Sequence, residues 1–223
     1  MRLSKSSVQS YLSCPMEYKL YKEYGDSSKK LLGGKVNVDS RIGLDIHRLI
    51  ERYKDDPSYL SNIETTLTFL RDDGISEDKI KKFLLCAKNF LNYKKYIGES
   101  DLVEYPFEVE INGITFVGRF DRIHDNTVID WKTSKIPNNI DNDIQCIIYE
   151  RAYKKIFKKQ PKVVLVSLLQ DKEIEFQHTK LSEVFFDDVV ISVVNGIRAN
   201  NFPRNGIFNG ACFLCAYQAE CGL

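Results

Sequence analysis

The chain has 223 residues, 43% of them hydrophobic and 28% charged, with a formal net charge of +1, which fits a soluble globular protein with room for one sizeable domain. No apolar run reaches the roughly 20 residues of a membrane span, and the opening MRLSKSSVQSYL has no apolar signal-peptide core, so no membrane partner is expected and the cytoplasm is the expected location. Net charge argues neither for nor against nucleic acid, so a binding surface for it would have to be local; six cysteines in a reducing compartment read first as a metal site.

Residues 3–25 read as two short helices. Ser6 with Gln9 fits a capping box, Pro15 the first position of the second helix, and Gly25 its end. A helix is expected over 39–56, where Ile42, Ile46, Leu49, Ile50 and Tyr53 keep the helical period. Leu60, Ile63, Leu67 and Leu70 predict another, closed by Gly74. Ser76 opens a third, which carries Ile80, Phe83, Leu84, Ala87 and Leu91 to a stop at Gly98. The texture changes at Leu102. LVEYPFEVEI reads as a strand, Asn112 and Gly113 as a hairpin turn, ITFVGRFDRI as the antiparallel return, HDNT as a second turn and VIDWKT as a third strand. A helix follows over 140–158. KVVLVSLL is a buried strand with EIEFQH beside it, and LSEVFFDDVVISVVNGIRAN is an apolar helix with Ser182 near its cap. The expected fold class is α/β: a mixed central sheet containing an antiparallel meander, flanked by helices.

Alternation along residues 128–134, VIDWKTS, puts Ile129 and Trp131 on one face and Val128, Asp130 and Lys132 on the other. Asp121 ends the second meander strand, and Asp130 lies on the strand paired with it, about 4.8 Å away. Two carboxylates that close repel, and one pKa rises. A divalent cation removes the penalty, and hard oxygen ligands suit Mg²⁺ or Mn²⁺. Lys132 would then orient or deprotonate an attacking water or hold a phosphate oxygen, completing the set that metal-assisted phosphodiester hydrolysis needs. The same residues also admit ordinary ion pairs, Asp121 with Arg119 or Arg122 and Asp130 with Lys132.

GRFDRI (118–123), VIDWKTS and QCIIY (145–149), with GLDIH (43–47) upstream, resemble in order and spacing the PD-(D/E)XK nuclease superfamily, and within it the RecB-like branch, over nearly the whole chain. The resemblance implies a restriction-endonuclease-like core preceded by helices. It implies that Asp121 and Asp130 are metal carboxylates, that His47 completes the metal shell, and that Lys132 is the catalytic lysine. Gln145 and Tyr149, on one helical face, match the QxxxY signature and join the catalytic set. Ser134 departs from the glycine usual in these proteins. Glu104 reads as a solvated strand position, outside the site.

Cys212, Cys215 and Cys221 form C-x2-C-x5-C, and Cys14 stands alone in YLSCP. Four thiolates can hold zinc, although the usual second CxxC pair is missing. Clustered cysteines completed by a remote one suit a [4Fe–4S] cluster. The spacing resembles the iron–sulfur subset of RecB-like nucleases, which includes the AddB nuclease domain and the small CRISPR-associated exonucleases. This implies a structural staple joining the two ends of a single nuclease domain over 1–223. Cys86 and Cys146 fall in helical patterns as small apolar residues. Arg151, Lys155 and Lys158 share a helical face that Lys154 and Lys159 broaden; it either follows a phosphate backbone or is a solvated face. The expectation is an Mg²⁺- or Mn²⁺-dependent DNA exonuclease acting on single-stranded ends, in recombination, repair or CRISPR spacer acquisition. With no P-loop of its own, it would rely on a helicase, recombination or CRISPR-associated partner. The alternatives are a non-catalytic DNA-binding or scaffold subunit that keeps the fold, and a zinc-stapled interaction domain.

Overall fold

A six-stranded mixed sheet is the centre of the computed structural model, which describes residues 1–25, 38–53, 58–141 and 143–222. The strands are β1 (Arg2–Leu3), β2 (Leu102–Ile111), β3 (Ile114–His124), β4 (Thr127–Lys132), β5 (Lys162–Ser167) and β6 (Lys172–Glu175). The helices are α1 (Lys5–Ser13), α2 (Pro15–Tyr24), α3 (Val38–Tyr53), α4 (Tyr59–Asp72), α5 (Glu77–Phe90), α6 (Ile144–Phe157) and α7 (Lys180–Arg198), followed by the short turns α8 (Gly206–Asn209) and α9 (Gln218–Cys221). No helix among the described residues is long and apolar enough to cross a membrane.

The β2–β3 hairpin turns on Asn112 (φ 51°) and Gly113 (φ 74°), the left-handed pair that matches strand twist in a two-residue loop. β4 is apolar on both faces because both are covered. Val128 belongs to a core with α6 and α7, and Ile129 and Trp131 to a second core with α3, α4 and α5. Strand alternation therefore splits one short sequence between two cores.

Several boundaries differ from the sequence expectation. The N-cap of α1 is Ser4, whose hydroxyl accepts from Ser7 N–H, and not Ser6. After Phe90 the helix tightens into a 3₁₀ segment over Leu91–Tyr96, well before Gly98. β3 runs on to His124, so Asp121 lies inside it. α6 begins at Ile144, because the Asp143 carboxylate accepts from Cys146 N–H and starts the helix there. α7 is capped by Thr179, with Ser182 completing a capping box. The expected end of the 39–56 helix lies outside the described residues beyond Tyr53.

The topology leaves one opening. β2 pairs along nearly the whole of one edge of β3, so β1 and β4 share the other edge. β1 is parallel to β3 and stops at Leu3 opposite Phe116. β4 is antiparallel, and its pairing with β3 ends at Arg122 opposite Ile129. The two strands therefore run towards each other and leave residues 117–121 of β3 facing a gap. Backbone groups there need other partners. Trp131 N–H donates to Asp121 Oδ2 at 2.9 Å, and the Arg119 carbonyl accepts from the Tyr149 hydroxyl at 2.8 Å.

Candidate active site

The strand registers align three carboxylates across β2, β3 and β4. Val103 pairs with Arg122 and Tyr105 with Phe120, which sets Glu104 opposite Asp121. Arg122 pairs with Ile129, and continuing that register sets Asp121 opposite Asp130. Like charges directly opposite on adjacent strands destabilise a sheet. Burial and then the charge of Asp130 push the Asp121 carboxyl up to about 7. The expected ion pairs of Asp121 with arginine do not form. Arg119 pairs with Glu104 at 3.0 Å, and Arg122 pairs with Asp101 at 2.5 Å.

α3 carries His47 over the row. Gly43 lies one turn earlier on the same helix, where an added Cβ would make an ordinary contact 3.4 Å from Thr133 Oγ1. His47 Nε2 is 3.0 Å from the Trp131 carbonyl, and Nδ1 is 3.8 Å from both Glu104 Oε1 and Asp121 Oδ2. Burial works against a charged imidazole here, but hydrogen bonding to Glu104 and the charges of Asp121 and Asp130 prevail, and its pKa rises to about 9. His47, Glu104 and Asp121 offer ligand atoms within 4.8 Å of one another, the only such group of metal-capable side chains among the described residues. They line a cleft of about 660 Å³ with Gly43 and Arg119. Glu104 belongs to this group although the sequence reading left it out.

Asp130, Lys132, Gln145 and Tyr149 form a hydrogen-bonded group beside Asp121. Gln145 Nε2 donates to Asp130 Oδ1 at 2.8 Å, and its Oε1 accepts from Lys132 Nζ at 2.8 Å. Gln145 Nε2 also donates to the Tyr149 oxygen at 2.8 Å. The i, i+4 spacing of Gln145 and Tyr149 makes this fixture possible. Lys132 Nζ lies 2.6 Å from Asp130 Oδ2, so the Asp130–Lys132 ion pair forms, and Asp130 is almost wholly buried. Burial works against the Lys132 charge, but Asp130 and Asp121 outweigh it and raise the lysine's pKa. Burial and the Asp130 charge raise the Tyr149 phenol well above its ordinary value.

Two predicted groups lie elsewhere. Arg151, Lys155 and Lys158 share a groove of about 490 Å³ with Lys154, Asn112, Glu183 and Asp187. Arg151 is already engaged there, 2.6 Å from Asp187 and stacked 4.6 Å above the Phe186 ring. Cys14 and Cys212 meet at Gly206, where an added Cβ would stand 3.4 Å and 2.9 Å from their sulfurs. Cys215 and Cys221 pack with Leu20 and Tyr217 in a small cluster of their own. Cys86 and Cys146 are fully buried among apolar side chains.

No curated protein matches this chain. Among solved structures, a "Putative exonuclease" from Eubacterium rectale is 12% identical, with a TM-score of 0.54 over 92% of this chain and 85% of its own. A second, SSO0001, is 15% identical with a TM-score of 0.47 over 98% of this chain and 84% of its own. The first likeness speaks for the α/β fold. Residues 2–222 match the PD-(D/E)XK nuclease superfamily, and the chain belongs to it.

Proposed function

We propose that the chain is a divalent-cation-dependent deoxyribonuclease of the RecB-like branch, hydrolysing DNA phosphodiester bonds as an exonuclease on single-stranded ends. The observation that carries this reading is the row Glu104–Asp121–Asp130 across β2, β3 and β4, with His47 close to it and Lys132 at its end. The donor set fits Mg²⁺ or Mn²⁺: oxygen ligands with one imidazole, and a carboxyl pushed up by burial and then by the charge of Asp130. His47 fits a ligand geometry as well. Its Nε2 faces a carbonyl, which leaves Nδ1 towards the carboxylates.

His47, Glu104, Asp121 and Asp130 would hold the cation. A bound cation of this kind neutralises phosphate charge and acidifies water. Lys132 would orient or deprotonate an attacking water or hold a phosphate oxygen. Gln145 fixes Lys132 and Asp130 together, and Tyr149 pins Gln145 to the β3 backbone. Arg151, Lys155 and Lys158 would follow the phosphate backbone beyond the cleft, Lys155 and Lys158 more freely than the engaged Arg151.

Cys14, Cys212, Cys215 and Cys221 would hold a [4Fe–4S] cluster that staples the ends of one nuclease domain over 1–223. Supporting this, the Cys14 and Cys212 sulfurs converge on Gly206. Such a cluster fits a cytoplasmic protein working with a helicase, recombination or CRISPR-associated partner.

The test is incubation with end-labelled single- and double-stranded DNA in Mg²⁺, Mn²⁺ or EDTA. Shortening of single strands with either cation, and none in EDTA or with Asp121→Asn or Asp130→Asn, is expected. Cleavage that persists in excess EDTA would sink the mechanism. Binding without cleavage in both cations would mark a non-catalytic DNA-binding subunit.

A further inference from the structure

Lys5 opens α1, two residues after β1 ends at Leu3. Because β1 and β4 run towards each other along one edge of β3, the first turn of α1 arrives at the end of β4, where Lys132 stands. The charges nearest Lys5 are those of Lys132, Asp143 and Asp130, at the tip of β4 and the start of α6. These acids are already occupied. Asp130 is paired with Lys132, and Asp143 caps α6 through Cys146 N–H at 3.0 Å. Lys5 is half-buried and, among the described residues, has no ion pair or hydrogen bond. Burial, and then the charge of Lys132, lower its pKa. A partly desolvated ammonium without a counter-ion, beside a second ammonium, is unfavourable, and an anion at that point removes the penalty.

We propose that Lys5 positions the substrate: its ammonium takes a backbone phosphate of the nucleic-acid strand lying in the gap, next to the phosphate that Lys132 faces. This rests on the nuclease reading above. Two lysines from separate elements, one on α1 and one on β4, would set the strand's register along the gap. Phosphate contacts of this kind fix position without reading sequence.

The test uses a 5′-labelled single-stranded oligonucleotide with Mn²⁺, cleaved by wild type, Lys5→Ala and Lys5→Arg. Lys5→Ala should raise KM about tenfold with kcat within about twofold, as loss of one charge-assisted contact does. It should also reduce the salt slope of binding by about 0.7. Lys5→Arg should restore both. A single methylphosphonate, which removes one phosphate charge, should weaken wild type about tenfold at one position beside the cleaved bond and leave Lys5→Ala unaffected there. Wild-type KM in Lys5→Ala, or an equal methylphosphonate penalty for both proteins at every position, overturns the role of Lys5 while the nuclease reading stands. So does a rise in KM that Arg fails to rescue. A wild type that neither binds nor cleaves the strand overturns the nuclease reading, and the role of Lys5 with it.

Discussion

Glu104 shows what a single residue contributes to the cleft. It sits within β2 with φ 49°, a left-handed conformation that costs a non-glycine residue on the order of 1–3 kcal/mol and tends to mark functional sites. It also faces Asp121, a second source of cost. Asn tolerates the left-handed region and carries no charge. Glu104→Asn should therefore leave the fold as stable as wild type in EDTA, or more so, while Mn²⁺ binds about tenfold more weakly or worse. Thermal melts in EDTA and a Mn²⁺ titration would measure the two separately, and unchanged Mn²⁺ affinity would remove Glu104 from the proposed cation site. This residue was half legible in the sequence. Counting back from the Asn112–Gly113 turn places it opposite Asp121, but its backbone twist, which takes it off the solvated face, has no sequence signal. Asp121, Asp130 and Lys132 were legible because they sit at fixed offsets on paired strands. His47 was legible only through its resemblance, since helical periodicity alone gives it no partner.

At the scale of elements, two packing devices set the β2–β3–β4 geometry. Gly118 lies opposite Phe107, and a Cβ there would stand 2.5 Å from the ring. Gly118→Ala should cost about 1–3 kcal/mol by overpacking and spread β2 from β3, separating Glu104 from Asp121. Phe107→Leu should recover part of that loss, as denaturant titrations of the single and double variants would reveal. The second device is Arg122, whose side chain is wholly buried against Asp101 at 2.5 Å and the Ile50 carbonyl at 3.2 Å. It ties β3 to the helix that carries His47. Burial alone would raise the Asp101 carboxyl, but the Gly98 N–H, His124 and Arg122 hold it below its ordinary value. Asp101→Ala leaves a buried guanidinium without its counter-ion and should cost about 3–5 kcal/mol. Because the folded-state pKa is depressed, this stabilisation is present above the ordinary carboxylate value of about 3.9 and is lost as pH falls through the lower folded value. The gap between wild type and Asp101→Ala should therefore narrow below about pH 4; a gap constant with pH would refute the pair's contribution. Sequence reading took Arg122 only as a possible partner for Asp121, because the strand pattern does not show which face a helix backbone will cover.

At the scale of the whole molecule, the chain ends already meet without any cluster. The Tyr11 hydroxyl donates to the Asn201 carbonyl at 2.6 Å, Asn209 Nδ2 donates to the Ser13 carbonyl at 2.7 Å, and Tyr217 bonds the Gly25 carbonyl. Gly196 lies so close under Tyr11 that an added Cβ would overlap the hydroxyl. These contacts bring the Cys14 end of α1 to the C-terminal turns that carry Cys212 and Cys221. A group bound by all four proposed cysteines would then lock a closure that the packing has prepared. Loop-closure entropy rises only with the logarithm of loop length, so a staple across nearly the whole chain is worth about 5 kcal/mol, little more than one across 100 residues. Cys212→Ser and Cys221→Ser should lose iron and sulfide together, bleach the colour of anaerobically purified protein and lower stability by several kcal/mol. Cys86→Ala and Cys146→Ala, whose thiols are fully buried in the two sheet cores, should keep the colour and lose only the packing of one small side chain. Among the described residues no thiol lines the cleft, so these cysteine variants should retain cleavage at low temperature and lose it as they melt. Zinc in place of iron, in protein from iron-replete cells, would overturn the cluster and leave the cleft chemistry untouched.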